Sequence, residues 1–443
     1  MATVRAIHQS LIPVDTNRLE KESLKAYFLD AWNLNERLFD AIQDDEAFYL
    51  SPDPLRNPLI FYFGHTAAFY INKLVVSGLF SEGIDAEFEH ILAKGVDPDL
   101  PQNLDVRDVW PTVSQIGHYR EQVKSRVLSV IDTMENYISV DSKNPYWALL
   151  MGIEHDRIHF ETSSVLIRQL DAHYLKRPEG WEYAPMNISN PQENWIESKG
   201  GTVRLGKEEP DAWFGWDNEY GTKRHTVAPF EATKDLITNA EYLAFFAAGY
   251  ADKRYWSEDG WNWKERTNTT HPKFWVNAET GFLYRAMFDI IEMPMDWPAE
   301  VNAFEAEAYC NWKGSGARLL TEAEFNLIAN MNQRAEPIHE ESINLNVRYG
   351  SPTPVGYCAD SKSPFNDLYG NVWDWLGTEH APLDGFQAHS YYEDFSAPYM
   401  DSDHLMMAGG SWITTGTGAS KYYRLWFRPY FYQHAGFRLA RTL

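Results

Sequence analysis

Ile153-Glu154-His155-Asp156-Arg157-Ile158-His159-Phe160-Glu161-Thr162 lies in a long apolar-periodic stretch and sets two histidines four residues apart. On an α-helix that spacing turns the second imidazole only about 40° from the first, so both project from one face. The same face carries Met151, Gly152, Thr162, Ser163 and Leu166, small or apolar residues that mark it as inward-facing. Two interior histidines need partners, and a shared metal ion satisfies both. Far upstream, Phe63-Gly64-His65-Thr66-Ala67-Ala68-Phe69 offers a third imidazole on a separate segment. Three imidazoles from two facing helices leave coordination positions open, which suits a metal that binds dioxygen or substrate. His118, on another segment, is the alternative ligand.

Helical periodicity extends through the first 175 residues. Segments 17–43, 58–80, 111–134 and 147–170 each carry apolar residues at helical spacing, with Pro58 in a first turn. Breaks such as Ser51-Pro52-Asp53-Pro54 and Asp97-Pro98-Asp99-Leu100-Pro101 separate them. Four such helices form an antiparallel bundle, and bundle cores house metal sites built from facing helices. Residues 176–200 read as a crossover without periodicity. Beyond it, short β-prone pieces alternate with Gly, Pro, Asp and Asn turns, with helix candidates near 238–249 and 302–313. The expected fold is α+β, with a helical bundle over 1–175, a linker over 176–200 and a loop-rich domain over 201–443.

The chain has 443 residues, enough for two or more domains with large cores. Aromatic residues make up 15%, and most of the 17 Trp fall after residue 190, which again separates two halves. The net charge of −24 argues against a nucleic-acid backbone or an anionic membrane as partner. Two cysteines, Cys310 and Cys358, allow no disulfide framework and no cysteine metal cluster. No signal-peptide pattern starts the chain, and no run approaches about 18 apolar residues, so a cytoplasmic protein is expected.

The second half holds a series of ordered pieces. They are Gly215-Trp216-Asp217-Asn218-Glu219, Thr238-Asn239-Ala240-Glu241-Tyr242-Leu243, Ala308-Tyr309-Cys310-Asn311-Trp312 and Arg318-Leu319-Leu320-Thr321-Glu322-Ala323-Glu324-Phe325. Leu368-Tyr369-Gly370-Asn371-Val372-Trp373-Asp374-Trp375, Gly409-Gly410-Ser411-Trp412 and Gly436-Phe437-Arg438-Leu439-Ala440 follow. Together they resemble the formylglycine-generating-enzyme fold, a C-type-lectin-like scaffold. Formylglycine enzymes use two cysteines shortly after the Gly-Gly-Ser piece. Trp412 to Arg428 contains none, so that chemistry is not expected.

A DinB-like bundle with three histidines fused to this scaffold resembles the sulfoxide synthases of thiohistidine biosynthesis. Asp45-Glu46-Ala47-Phe48-Tyr49-Leu50, Leu59 to Thr66, Met151 to Leu170 and Phe431 to Arg438 look most like the ovothiol branch, the 5-histidylcysteine sulfoxide synthases. The ergothioneine branch has a Gln where this chain has Ile158, and it binds γ-glutamylcysteine with charged residues in the last loop. Here that loop is the aromatic run Trp426 to Tyr432, with Arg428 its only charge.

The resemblance implies Fe(II) held by His65, His155 and His159, and the coupling of L-cysteine, L-histidine and dioxygen. It also implies a proton-delivering tyrosine, aligned best with Tyr392 in His389-Ser390-Tyr391-Tyr392-Glu393-Asp394-Phe395, with Tyr391 as rival. Arg157 and Arg428 are candidates for substrate carboxylates. Ile158 and Trp412 are candidate pocket residues, and Glu154 and Glu161 candidate partners behind the ligands. No glycine-rich S-adenosylmethionine site is present, so a separate methyltransferase and a C–S lyase are expected in the pathway. Alternatives are an ergothioneine-type or selenium-using synthase, a divalent-metal DinB-like thiol transferase, and a non-enzymatic binding module.

Overall fold

The computed structural model describes residues 10–93, 95, 97–98, 109–189, 191–208, 211–331, 338, 342–358 and 363–443. Residues 99–101 of the Asp-Pro-rich break thus lie outside the described residues.

Among the described residues of the first half, five α-helices form: α1 (Lys21–Phe39), α2 (Leu59–Val76), α3 (Ala86–Ile91), α4 (Val113–Thr133) and α5 (Tyr146–Arg168). α1, α2, α4 and α5 pack as the bundle, with α5 against both α1 and α2. Thr112 and Gln115 start α4 with a reciprocal capping box. Gly152 lets α5 approach α2 closely, because a Cβ there would lie 2.5 Å from the Tyr70 ring. α2 has the length and apolarity of a membrane span, which the sequence reading did not register, and 72% of it is buried inside the fold. Its apolar residues are therefore accounted for by the bundle core.

The second half is built on two four-stranded sheets. In one, Arg318–Leu319, Leu439–Thr442, Phe230–Thr233 and Trp195–Ser198 run antiparallel in that order. The other orders Leu425–Phe427, Leu405–Ala408, Trp373–Glu379 and Ala435–Gly436, with the last pair parallel. The stretch 176–200 is therefore more than a crossover, since Trp195–Ser198 is an edge strand of the first sheet. Among the described residues, four α-helices accompany the sheets: α6 (Asn239–Ala248), α7 (Glu258–Arg266), α8 (Ala303–Lys313) and α9 (Glu322–Asn330). α6 and α8 meet the two expected segments. α7 and α9 do not appear in the sequence reading, although Ser257 caps α7 and Thr321 with Glu324 forms a capping box for α9.

One face of α5 joins the halves. The Glu161 carboxylate accepts from Trp373 Nε1 at 2.7 Å, Ser411 Oγ at 2.5 Å and Thr414 Oγ1 at 2.8 Å. Glu154 accepts from Tyr27 Oη at 2.6 Å and from the Thr417 N–H and Oγ1, both at 2.9 Å. Gly416, at φ +67°, permits that approach, since a Cβ would lie 2.5 Å from both Glu154 Oε2 and Arg157 Cδ. Further along α5, Ser164 Oγ pairs with His434 Nε2 at 2.8 Å and Arg168 with Glu300 at 2.7 Å. Burial alone would raise Glu300, yet Arg168 and His434 hold it down at about 2.

Candidate metal centre and interdomain cavity

The neighbouring face of α5 carries His155 and His159, and α2 brings His65 opposite them. One ring nitrogen from each lies within 4.8 Å of the other two. Ring centroids are 5.0 Å apart for His65–His155, 4.5 Å for His65–His159 and 4.4 Å for His155–His159. His65 Nδ1 is 2.6 Å from the Leu92 carbonyl oxygen. A proton on Nδ1 donated to that carbonyl leaves Nε2 as the lone-pair donor, the arrangement by which backbone partners orient metal-binding imidazoles.

Burial lowers all three basicities, taking His65 to about 4 and His155 and His159 well below the ordinary imidazole value. The imidazoles are thus neutral at physiological pH, as metal ligation requires. Nδ1 of His155 and Nδ1 of His159 are buried without a hydrogen-bond partner among the described residues. Two orphaned ring nitrogens beside a third imidazole fit a bound cation, and the donor set suits a divalent transition metal. His118 is exposed on α4 and pairs with Gln122, so it is not a ligand candidate.

The triad opens on a cavity of about 400 Å³ between the two halves. The bundle contributes Tyr62, Phe69, Lys73, Ile158 and Thr162, and the second half Tyr392, Asp394, Trp426, Phe427 and Tyr432. Phe69 stacks on His155, and its ring lies 5.1 Å from that of Tyr392. The Tyr392 ring is 6.3 Å from His155. Its loop is pinned to the bundle by His389 Nε2, 2.8 Å from the Ser142 carbonyl oxygen. On the other side Phe395 stacks on Trp216 at 4.1 Å, and Ser396 Oγ donates to Asp217 at 2.6 Å. Burial, aided by Asp394, raises the Tyr392 phenol above its ordinary value and keeps it protonated.

Other expected site residues are engaged elsewhere. Arg157 is buried against Asp30 at 3.0 Å and donates to Ser10 Oγ, so its guanidinium does not face this cavity. Trp412 is 1% exposed and packs on Trp181 and His434 within the core. Arg428 is held by Asp97 at 2.8 Å and Asp403 at 3.3 Å. Tyr391 donates its N–H to His389 Nδ1 and does not line the cavity. Glu154 and Glu161 hold the second half rather than the histidine rings. Phe69, Lys73 and Asp394 were not singled out in the sequence. The available signal was spacing, since Phe69 and Lys73 lie four and eight residues after His65.

Residues 183–443 match the sulfatase-modifying factor enzyme 1-like domain, which covers more than half of the chain. The chain belongs to that family. Residues 27–163 match the DinB superfamily, so the bundle carrying the triad has its own relatives. The chain is 34% identical over 252 residues to a hercynine oxygenase of Mycobacterium tuberculosis, covering 53% of this chain and 58% of that protein. It is 23% identical over 428 residues to ergothioneine biosynthesis protein 1 of Schizosaccharomyces pombe, covering 88% and 52% respectively. Thus it spans little more than half the length of these two relatives. With a hercynine oxygenase of Mycolicibacterium thermoresistibile it shares 28% identity over 462 residues and 95% of each chain.

Proposed function

We propose that this protein is an Fe(II)-dependent sulfoxide synthase that joins a thiol sulfur to an imidazole carbon using dioxygen. The observation that carries the reading is the neutral three-histidine cluster opening on an interdomain cavity roofed by Tyr392. Bound to that cluster, Fe(II) would activate dioxygen and favour a substrate thiol as its thiolate. The reaction balances without an external reductant: thiol, imidazole C–H and O2 give the C–S bonded sulfoxide and one water. Within it, the apolar walls exclude water and hold the two substrates side by side. The Tyr392 phenol keeps its proton at Oη until oxygen develops negative charge nearby.

The names of the relatives favour hercynine, the trimethylated histidine, as the imidazole substrate. A second reading, free L-histidine with L-cysteine to give 5-histidylcysteine sulfoxide, rests on Ile158 and on the aromatic Trp426–Tyr432 stretch at the cavity. The test is anaerobic loading with Fe(II), then oxygen and each pair, with products read by mass spectrometry. A higher kcat/KM for hercynine with γ-glutamylcysteine supports the first reading, and for histidine with cysteine the second. Absence of any C–S product from either pair overturns the assignment, and thiol transfer without oxygen replaces it with a transferase.

A further inference from the structure

Lys73 sits in the last turn of α2, where a lysine ordinarily extends into water and complements the helix C-terminus. Here the side chain folds inward. Its Nζ lies 3.9 Å from the centre of the Tyr392 ring and 5.1 Å from that of Phe69, and it lines the cavity. Among the described residues it makes no hydrogen bond and no ion pair, and Asp394 acts on it only through longer-range attraction. Burial lowers it to about 8, so it remains mostly charged at neutral pH. Two other basic side chains at the cavity, Arg56 and His404, are otherwise placed. Arg56 lies 3.9 Å over the Phe431 ring, and His404 is clasped by Asp97 and Asp401.

An ammonium standing on two aromatic faces keeps its hydrogens available for an acceptor. Asp394 lines the same cavity and its charge acts on Lys73, so a cation and a carboxylate both face the cavity. That pairing matches the opposite charges on the α-carbon of an amino acid. The position is also right. Phe69 separates Lys73 from His155, whose ring it stacks against at 3.5 Å.

We propose that Lys73 and Asp394 form a zwitterion subsite, in which Lys73 takes the α-carboxylate of an amino-acid substrate and Asp394 its ammonium. This rests on the reading above that the substrates are amino acids. The carboxylate of either the thiol or the imidazole substrate has the required chemistry.

Titration calorimetry on the Fe(II)-loaded protein without oxygen tests the subsite by binding alone. The ligands are L-cysteine against cysteamine, L-histidine against histamine, and hercynine against Nα-trimethylated histamine. Lys73→Met preserves the apolar stem and should weaken the carboxylate-bearing substrate about 10- to 100-fold, the scale of a charge-assisted hydrogen bond. Its decarboxylated analogue should bind wild type and variant alike, and Lys73→Arg should restore most of the affinity. Loss confined to cysteine identifies the thiol substrate as the occupant, and loss confined to histidine or hercynine the imidazole substrate. Equal binding of all ligands by wild type and Lys73→Met overturns the subsite and leaves the function standing. Equal weakening of amines and amino acids also overturns it, because Lys73 then only supports the wall. Wild-type protein that binds none of these amino acids overturns both the subsite and the substrate assignment.

Discussion

The Phe69 ring lies 3.5 Å from the His155 ring and within 6° of parallel to it. Phe69 also touches Tyr392 edge-on, so one α2 side chain sets the tilt of a candidate ligand and backs the candidate proton donor. Phe69→Ala should free the His155 ring and weaken Fe(II) binding about 10- to 100-fold, the usual effect of losing a side chain that orients a ligand. A competition assay with a calibrated chelator measures it. Unchanged affinity would show that the stack is not what orients His155.

His159→Ala removes one of three neutral donors and should abolish stoichiometric iron and turnover. His118→Ala, on an exposed part of α4, should leave both intact. Metal analysis of the purified variants is sufficient, and full iron in His159→Ala would end the triad assignment.

Tyr392→Phe should keep iron and substrate binding and slow C–S bond formation about 100-fold or more, the range of general-acid effects. The share of thiol oxidised to sulfinate should rise, because the proton that favours coupling is gone. Product ratios by mass spectrometry at matched turnover decide this. A variant with wild-type rate and ratio would eliminate Tyr392.

Protons compete with iron for imidazole nitrogen. A free imidazole near 6.5 would lose metal as pH falls through that value, whereas burial lowers His65 to about 4 and the other two histidines well below their ordinary value. Occupancy should therefore stay flat from about pH 8 to 5 and fall only towards 4. Iron retained on a desalting column across that range checks it, and loss centred near pH 6.5 would contradict it.

Glu161→Ala leaves the Trp373 N–H and the Ser411 and Thr414 hydroxyls without their shared acceptor. The expected cost is about 3 kcal/mol, read as a lower urea midpoint, since each buried orphan costs about 1–3 kcal/mol. A midpoint within error of wild type would mean that the carboxylate does not hold the two halves together.

The bundle was legible in the sequence because helical periodicity is local, and the His155–His159 pair because four residues nearly complete a turn. Helical arithmetic also separates Arg157 from the pair. Two residues beyond His155 is about 200° around the helix, so its side chain leaves by the opposite side towards Asp30. Ile158, one residue before His159, stays on the cavity wall. Trp412 looked available because it follows a recognisable Gly-Gly-Ser, but only the packed structure brings Trp181 and His434 against it. Lys73 and Asp394 could not be associated in advance. They are 321 residues apart in the chain and come to line one cavity only when the 389–396 loop folds over α2.

The alternation of Glu154, His155, His159 and Glu161 along α5 sets a mechanical tolerance. The groups that grip the second half and the groups that offer nitrogen to a metal share one rigid rod, within two turns of each other. Inserting or deleting a single residue between His155 and Glu161 would rotate the groups after the change against those before it by about 100°, parting Glu161 from Glu154 and, before His159, also the two imidazoles. No loop intervenes to absorb that rotation. The helix therefore works as a common datum: Tyr392 is located from the same reference as the imidazoles, although it arrives from a different part of the chain. Substitutions that preserve the length of α5 can retune the cavity, whereas a change in its register would misplace the metal donors and the roof together.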